Sequence, residues 1–350
     1  MMRTQIFRRR TLYGVAICGI GSVFGFRLLK ARGYDLSTEG KGSWQFYVLS
    51  TLPLRKMSRL WGSLAHREIP VPTRAPLYRL WASIFDSDLD EISETLESFP
   101  CLADFFSRRI SIDAERPFSN ADMMSPVDGK VVSCGVIKDN LVGQLKGVTF
   151  PLKQFLGKDP DLKTSSGKLF YVILYLAPGN YHRIHSPFEW KITSRRHFAG
   201  DLYPVLPAIA KFVPNLFAVN ERIVLSGVWR HGYCSVTPVG AFNVGSIQLS
   251  TLIDPAIQTN SSQDDRKVRV LKSSTSASPT SDGYNDWLQY SELRSRFVGV
   301  LQKPGDEIGA FRMGSSVVIL FETSSDDQFF FRIKAGDRIR TGDEIGVVLH

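Results

Sequence analysis

Cysteine is scarce and does not pair. Cys18, Cys101, Cys134 and Cys234 are the four in the chain, with no CxxC spacing among them, so neither a disulfide framework nor a cysteine-built zinc site is expected. Acidic residues are missing from the beginning. Arg3, Arg8, Arg9, Arg10, Arg27, Lys30 and Arg32 all precede the first acid, Asp35, in a chain whose net charge is +9. The remainder is therefore close to neutral and lacks the basic stripe that a nucleic-acid binder carries on its folded domain. A long hydrophobic run is missing too. The apolar stretch from Thr11 to Phe26, closed by Arg27, stops short of the roughly 17–25 residues of a spanning helix. What remains, 43% hydrophobic and 22% charged, is the composition of a globular protein with ample core.

The arginine-rich, acid-free first ten residues have the composition of a mitochondrial presequence. If Arg27 snorkels, Leu28 and Leu29 lengthen the apolar stretch to spanning size, and Gly21 with Gly25 permits close helix packing. Residues 1–43 are thus assigned as a mitochondrial presequence with a single transmembrane helix. A presequence that is cleaved away without any span is the competing reading. Cations flank the stretch on both sides, so the charge rule leaves its orientation open.

A helical layer is expected over 44–100. After Pro53, Leu54, Met57, Leu60, Trp61 and Leu64 recur at helical spacing, with Arg55, Lys56 and Arg59 on another face. Such a helix either lies on an anionic membrane surface or packs on the protein's own core. Pro70, Pro72 and Pro76 then break the pattern. A second helix is expected through Leu77, Leu80, Trp81, Ile84 and Phe85, and a third through Leu89, Ile92, Leu96 and Phe99, opened by Asp88 and Glu91.

Beyond Arg109 the period shifts toward strands: Lys130–Val136, Leu169–Leu176, Arg222–Leu225, Tyr233–Val239 and Phe242–Leu252. Leu169–Leu176 is apolar on both faces and reads as central. The 255–286 segment, dominated by Ser, Thr, Asp and Asn, reads as a disordered insertion. Strand periodicity then resumes, with Gly-Asp turns at Lys334–Asp337 and Thr341–Asp343. The fold class expected is α+β, a β-rich body of mostly antiparallel strands with an N-terminal helical layer.

Three stretches carry candidate chemistry. Gly314-Ser315-Ser316 stands at the mouth of the β-branched run Val317–Phe321. It is either a tight turn into a core strand or a serine held rigidly beside a carbonyl that the glycine leaves open to approach. Ser125-Pro126-Val127-Asp128-Gly129 is either a capped turn or the seat of an acid. Pro178–Pro187 gathers Tyr181, His182, Arg183 and His185 after the central strand. Loops at strand ends are where chemistry is mounted on a rigid frame. His182 and His185 make at most half a metal site, since no third ligand follows at suitable spacing, and no metal is expected. Asp128, His185 and Ser315 together suit the roles of orienter, base and nucleophile, which do not depend on chain order.

At these residues the chain resembles the phosphatidylserine decarboxylase family, in its mitochondrial and bacterial form. The resemblance runs in order from about Trp44 to the C-terminus, broken only by the polar insertion. It is carried by Phe105-Phe106-Ser107-Arg108-Arg109, Ser125–Gly129, Lys146-Gly147, Tyr181-His182-Arg183-Ile184-His185, Leu202-Tyr203-Pro204-Val205, Leu216–Arg222, Asn243-Val244-Gly245-Ser246-Ile247 and Lys303–Phe311. Two departures stand out. The family's Leu-Gly-Ser-Thr appears as Met313-Gly314-Ser315-Ser316, and Phe242 replaces a frequent threonine. The serine after the glycine, Ser315, is taken as the reactive one.

The resemblance implies a catalytic domain over 44–350 whose 44–100 layer faces a membrane. It implies self-cleavage between Gly314 and Ser315, and conversion of Ser315 to a covalent pyruvoyl cofactor that forms a Schiff base with phosphatidylserine. Products are phosphatidylethanolamine and CO2. Asp128 and His185 would activate Ser315, and His182 would protonate the decarboxylated carbon. The alpha and beta chains would stay together non-covalently, with room for a homodimer. The expected setting is the mitochondrial inner membrane, with the catalytic domain facing the intermembrane space. Two other classes compete. A serine hydrolase or peptidase would use the same three residues on outside substrates. A barrel-sandwich carrier would use the C-terminal hairpins, but Lys334 is not flanked as a modifiable lysine would be.

Overall fold

The computed structural model describes residues 49–110, 119, 121–145, 148–163, 167–206, 210, 213–242, 246–257, 259–262, 290–293, 299–312, 315–324 and 327–349. The leader and its candidate span, Met313 and Gly314, Lys146-Gly147, Asn243-Val244-Gly245 and most of the 255–286 insertion lie outside these. Among the described residues no helix is long and apolar enough to cross a membrane.

The unit from Leu54 to His350 opens with α1 (Leu54–Ala65) and α2 (Val71–Phe85), and α3 (Leu102–Phe106) follows. Pro70 stands at the break between the first two helices as the N-cap of the second, but Pro72 and Pro76 do not extend that break. Pro72 sits in the first turn of α2, where its missing N–H costs nothing, and Pro76 is carried inside the helix. α2 ends at Asp86, in the left-handed conformation with φ 61°. The expected third helix is absent. Asp88 Oδ1 instead accepts a bond from the Asp90 N–H at 3.0 Å, a local turn that competes with helix formation. Only a 3-10 turn, Leu96–Ser98, forms. Leu89, Ile92 and Leu96 still pack on the buried cluster of Tyr78, Phe99 and Phe105. Their apolar spacing serves the core, while the Asp88 turn competes with helix formation in the backbone.

The strands are β1 (Met123–Met124), β2 (Gly129–Val136), β3 (Leu141–Leu145), β4 (Val148–Pro151), β5 (Lys168–Leu176), β6 (Arg183–His185), β7 (Trp190–Phe198), β8 (Arg222–Trp229), β9 (Gly232–Val239), β10 (Ile247–Leu249), β11 (Tyr290–Leu293), β12 (Val300–Gln302), β13 (Glu307–Phe311), β14 (Ser315–Thr323), β15 (Gln328–Phe331), β16 (Arg338–Ile339) and β17 (Glu344–Leu349). They bear out the α+β expectation, and every strand pairing named here is antiparallel. β10 is shorter than the expected Phe242–Leu252, with a turn from Thr251. β7 was not anticipated, because Arg195, Arg196 and His197 interrupt its apolar pattern; all three are buried.

Nine strands form one sheet, in the order β11-β7-β8-β9-β14-β5-β2-β16, with β12 also on β7. β14 lies between β5 and β9 and is buried along its whole length. Its Val317–Phe321 side chains are fully inaccessible, each contributing about 1.5–3 kcal/mol on burial. At the far end of β14, Phe321 stacks on Phe170, with ring centroids 5.4 Å apart. The near end, where Ser315 opens the strand, is the end at which β5 finishes and β2 begins.

Candidate active site

Ser315 pairs with Leu176 of β5, and Ser316 pairs with Tyr175 and with Val239 of β9. Both serines are fully buried, and neither hydroxyl has a hydrogen-bond partner. An unsatisfied buried hydroxyl costs about 1–3 kcal/mol, so this strand mouth holds unspent bonding capacity. Gly314, the other half of the expected cleavage bond, is outside the described residues.

β13 leads into Ser315 and pairs with β6. The Phe311 N–H donates to the His182 carbonyl at 2.9 Å, which fastens the histidine loop to the chain just ahead of the serine. His182 is fully buried, its ring 4.0 Å from that of Phe106. Its Nδ1 lies 2.7 Å from the Asn180 carbonyl. A carbonyl only accepts, so the proton sits on Nδ1 and Nε2 carries the lone pair. That Nε2 is buried without a partner. Burial first, then the Arg108 cation, pushes the imidazole down to about 3, against the opposing pull of the Asn180 bond and Asp128.

His185 is arranged differently. Its Nδ1 donates to the Gly305 carbonyl at 2.8 Å, and Nε2 faces the Tyr181 hydroxyl at 2.9 Å. Burial lowers its pKa as well, with Arg183 adding to the effect and Gly305, Glu307 and Asp128 opposing it. Burial therefore favours the uncharged form of both imidazoles in the folded chain.

Asp128 sits just ahead of β2, buried to 7% exposure. Its Oδ1 accepts from the Thr341 N–H at 2.8 Å and the Thr341 hydroxyl at 3.0 Å. The His185 N–H donates to the Pro126 carbonyl at 2.8 Å, so the aspartate loop and the histidine strand are bonded directly. Gly129 is required here, because a Cβ would collide with the Tyr175 carbonyl. Asp128 begins the strand two places from β14, about 10 Å across the sheet at the usual spacing.

The helical layer caps this same end. The Arg108 guanidinium donates to the Gly179 carbonyl at 3.1 Å, and a Cβ on Gly179 would collide with the Phe85 carbonyl at the end of α2. Arg55, on the inner face of α1, donates to the Gly200 carbonyl and pairs with Glu221 at 2.8 Å. At the other end of α1, His66 Nε2 accepts from Arg312 at 2.8 Å.

All four residues expected from sequence thus gather at one end of the sheet. Tyr181 stands in the loop the sequence marks, but its bond to His185, and the roles of Gly305 and Thr341 in holding the imidazole and the carboxylate, are not legible there. Tyr181 sits one turn-length before His185 in a loop already marked, and Thr341 sits in a marked turn, but only the folded chain reveals their partners.

Ser315, with its buried and unpaired hydroxyl, lies at the same sheet end as two imidazoles and a carboxylate, which makes this end the candidate site of an enzyme. The family model described as "Phosphatidylserine decarboxylase" matches residues 102–347. A Cricetulus griseus protein named "Phosphatidylserine decarboxylase proenzyme, mitochondrial" is 35% identical over 91% of this chain and 78% of its own length. "Phosphatidylserine decarboxylase proenzyme 1, mitochondrial" of Schizosaccharomyces pombe is 31% identical over 97% of this chain and 92% of its own, and the Oryza sativa protein of the same name is 35% identical over 85% and 78%. The chain belongs to the phosphatidylserine decarboxylase family.

Proposed function

We propose that this chain cuts itself between Gly314 and Ser315, keeps a pyruvoyl group at position 315, and converts phosphatidylserine to phosphatidylethanolamine and CO2. The observation that carries this reading is the buried, unpartnered Ser315 hydroxyl at the mouth of β14. A ketone has no proton to donate, so replacing that hydroxyl removes the unsatisfied donor; the site fits the group.

In the first reaction His185 is the base. Its Nε2 exchanges the Tyr181 hydroxyl for that of Ser315, and Asp128 supports the charge that develops on the ring. The Ser315 oxygen attacks the Gly314 carbonyl, the peptide nitrogen departs with a proton, and the bond becomes an ester. Loss of the Ser315 α-proton expels the Gly314 carboxylate. The dehydroalanine left at 315 tautomerises and takes up water, releasing ammonia and leaving the ketone.

In the second reaction position 315 would hold the ketone, which would supply the electron sink that lets the substrate carboxylate leave as CO2. His182 supplies the proton traffic. Its lone pair on Nε2 accepts the proton of the substrate ammonium and returns it to the substrate α-carbon. A neutral imidazole suits this order: it takes a proton before it gives one.

The substrate reaches the site from a bilayer. α1 and α2 turn Met57, Leu60, Leu64, Leu77, Leu80 and Ile84 outward, with Leu60 66% and Leu80 58% exposed. Their inner faces hold Arg55, Ser58, Arg74 and Tyr78. Lys56, Arg67 and Arg79 are exposed on the same helical segment, as suits an anionic lipid surface. The leader's composition and the relatives' mitochondrial names support a mitochondrial setting, at the inner membrane facing the intermembrane space. Ser315→Ala should leave one uncut chain that releases no CO2 from phosphatidylserine. Cleaved Ser315→Ala protein on a denaturing gel contradicts the assignment.

A further inference from the structure

Asp128 takes two of its hydrogen bonds from the far end of the chain. Thr341 lies 213 residues beyond it and places both its N–H and its hydroxyl on one carboxylate oxygen, at 2.8 and 3.0 Å. The surrounding backbone is bonded to match. The Gly342 N–H donates to Ser125 at 2.9 Å, the Ser125 N–H to Asp343 at 2.7 Å, the Val131 N–H to Asp337 at 2.9 Å and the Gly336 N–H to Val131 at 2.8 Å. Arg338 and Ile339 pair with Lys130 and Gly129. The 336–343 segment therefore brackets the 125–131 loop on both sides of Asp128.

We propose that Thr341 is the positioning residue of Asp128, and that the C-terminal turn carrying it makes self-cleavage wait until the last residues of the precursor have docked. This rests on the reading of Asp128 as the residue that supports His185. Two donors on Oδ1 fix the plane of the carboxylate, and with it the direction in which Oδ2 offers its lone pairs. Without them the carboxylate plane is free to turn, and its lone pairs no longer hold one direction. Asp128 and Thr341 also lie on opposite sides of the bond to be cut. A chain that cut before residue 341 docked would release a short piece whose hairpins had not formed. The bond removes that hazard, and after cutting it joins the two pieces.

The test is a pulse-labelled cell-free synthesis of the full chain, following the fraction cut with time on denaturing gels. Thr341→Val keeps the N–H and removes the hydroxyl, and should slow cutting about tenfold, the scale of one hydrogen bond to a charged group. Thr341→Ser should restore the parent rate. In the Ser315→Ala background, where nothing is cut, Thr341→Val should still unfold in one cooperative transition, lowered by no more than the few degrees one hydrogen bond costs. Thr341→Val at the parent rate, with Asp128→Asn uncut, overturns the inference and leaves the proposed function standing. Asp128→Asn that cuts normally overturns both. Slow cutting with loss of the single cooperative transition, or Thr341→Ser as slow as Thr341→Val, assigns the effect to folding and overturns the inference.

Discussion

The two histidines of the site differ in which nitrogen is left over. His182 has an unpartnered Nε2, whereas Nε2 of His185 is occupied by Tyr181. If the tyrosine holds His185 at rest, Tyr181→Phe should cut at least as fast as the parent in the same pulse-labelled assay; an uncut mutant would make the hydroxyl part of the chemistry instead. Burial also makes His182 a determinant of stability. Its ordinary value is 6.5, and the fold lowers it to about 3. Above 6.5 neither state binds the proton and the stabilising effect is fully present. As pH falls through 6.5 the unfolded chain takes up a proton that the folded chain refuses until about pH 3, so stability declines across that window. Urea midpoints of the Ser315→Ala precursor should drop between pH 7.5 and 4.5, and more shallowly when His182→Asn is added. Equal slopes would show that His182 is not buried as neutral imidazole.

At the scale of elements, α1 turns the usual amphipathic logic around. Its inward face is held by an ion pair, Arg55 with Glu221, whose second carboxylate oxygen also meets His197 at 2.8 Å and the Asn260 N–H at 2.7 Å. Its outward face is leucine. Arg55→Ala leaves Glu221 buried without its cation, and should cost about 3–5 kcal/mol in denaturant unfolding. Leu60→Glu should change stability by less than about 0.5 kcal/mol yet weaken sedimentation with anionic vesicles severalfold. Vesicle binding as strong as the parent's would remove the membrane role from this face. The sequence showed the leucine stripe but not its direction, because apolar spacing is the same whether a stripe faces a core or a bilayer. Similar limits explain the other differences. Leu89, Ile92 and Leu96 were legible as core contacts, while Asp88 and its neighbours chose the backbone. Arg195 and Arg196 hid β7, because a buried arginine looks like a surface one until its surroundings are known. By contrast, the unbroken β-branched run after Ser315 left little choice but a central strand.

At the scale of the molecule, the proposed cut divides one sheet between two chains. The short piece would keep β14 between β5 and β9, β16 on β2 and β17 on β1. Those pairings and the buried Val317–Phe321 run should hold the pieces together through gel filtration in native buffer and release them in guanidinium. Pieces that separate in native buffer would contradict the interlock. Asp128, His182, His185 and Ser315 could be picked out individually because each stands at a turn or strand mouth and falls within the stretches that carry the family resemblance. Their meeting at one sheet end could not, since it depends on strand order across nearly the whole chain.

The central claim is that the chain makes its own ketone from the serine at 315, and an intact mass of the purified protein tests it most directly. The account predicts two species: a long piece ending at Gly314, and a short piece beginning at position 315 that is lighter by one ammonia than simple hydrolysis would leave, and blocked to N-terminal sequencing. A single uncut chain, or a short piece that retains a free serine amine, would contradict it.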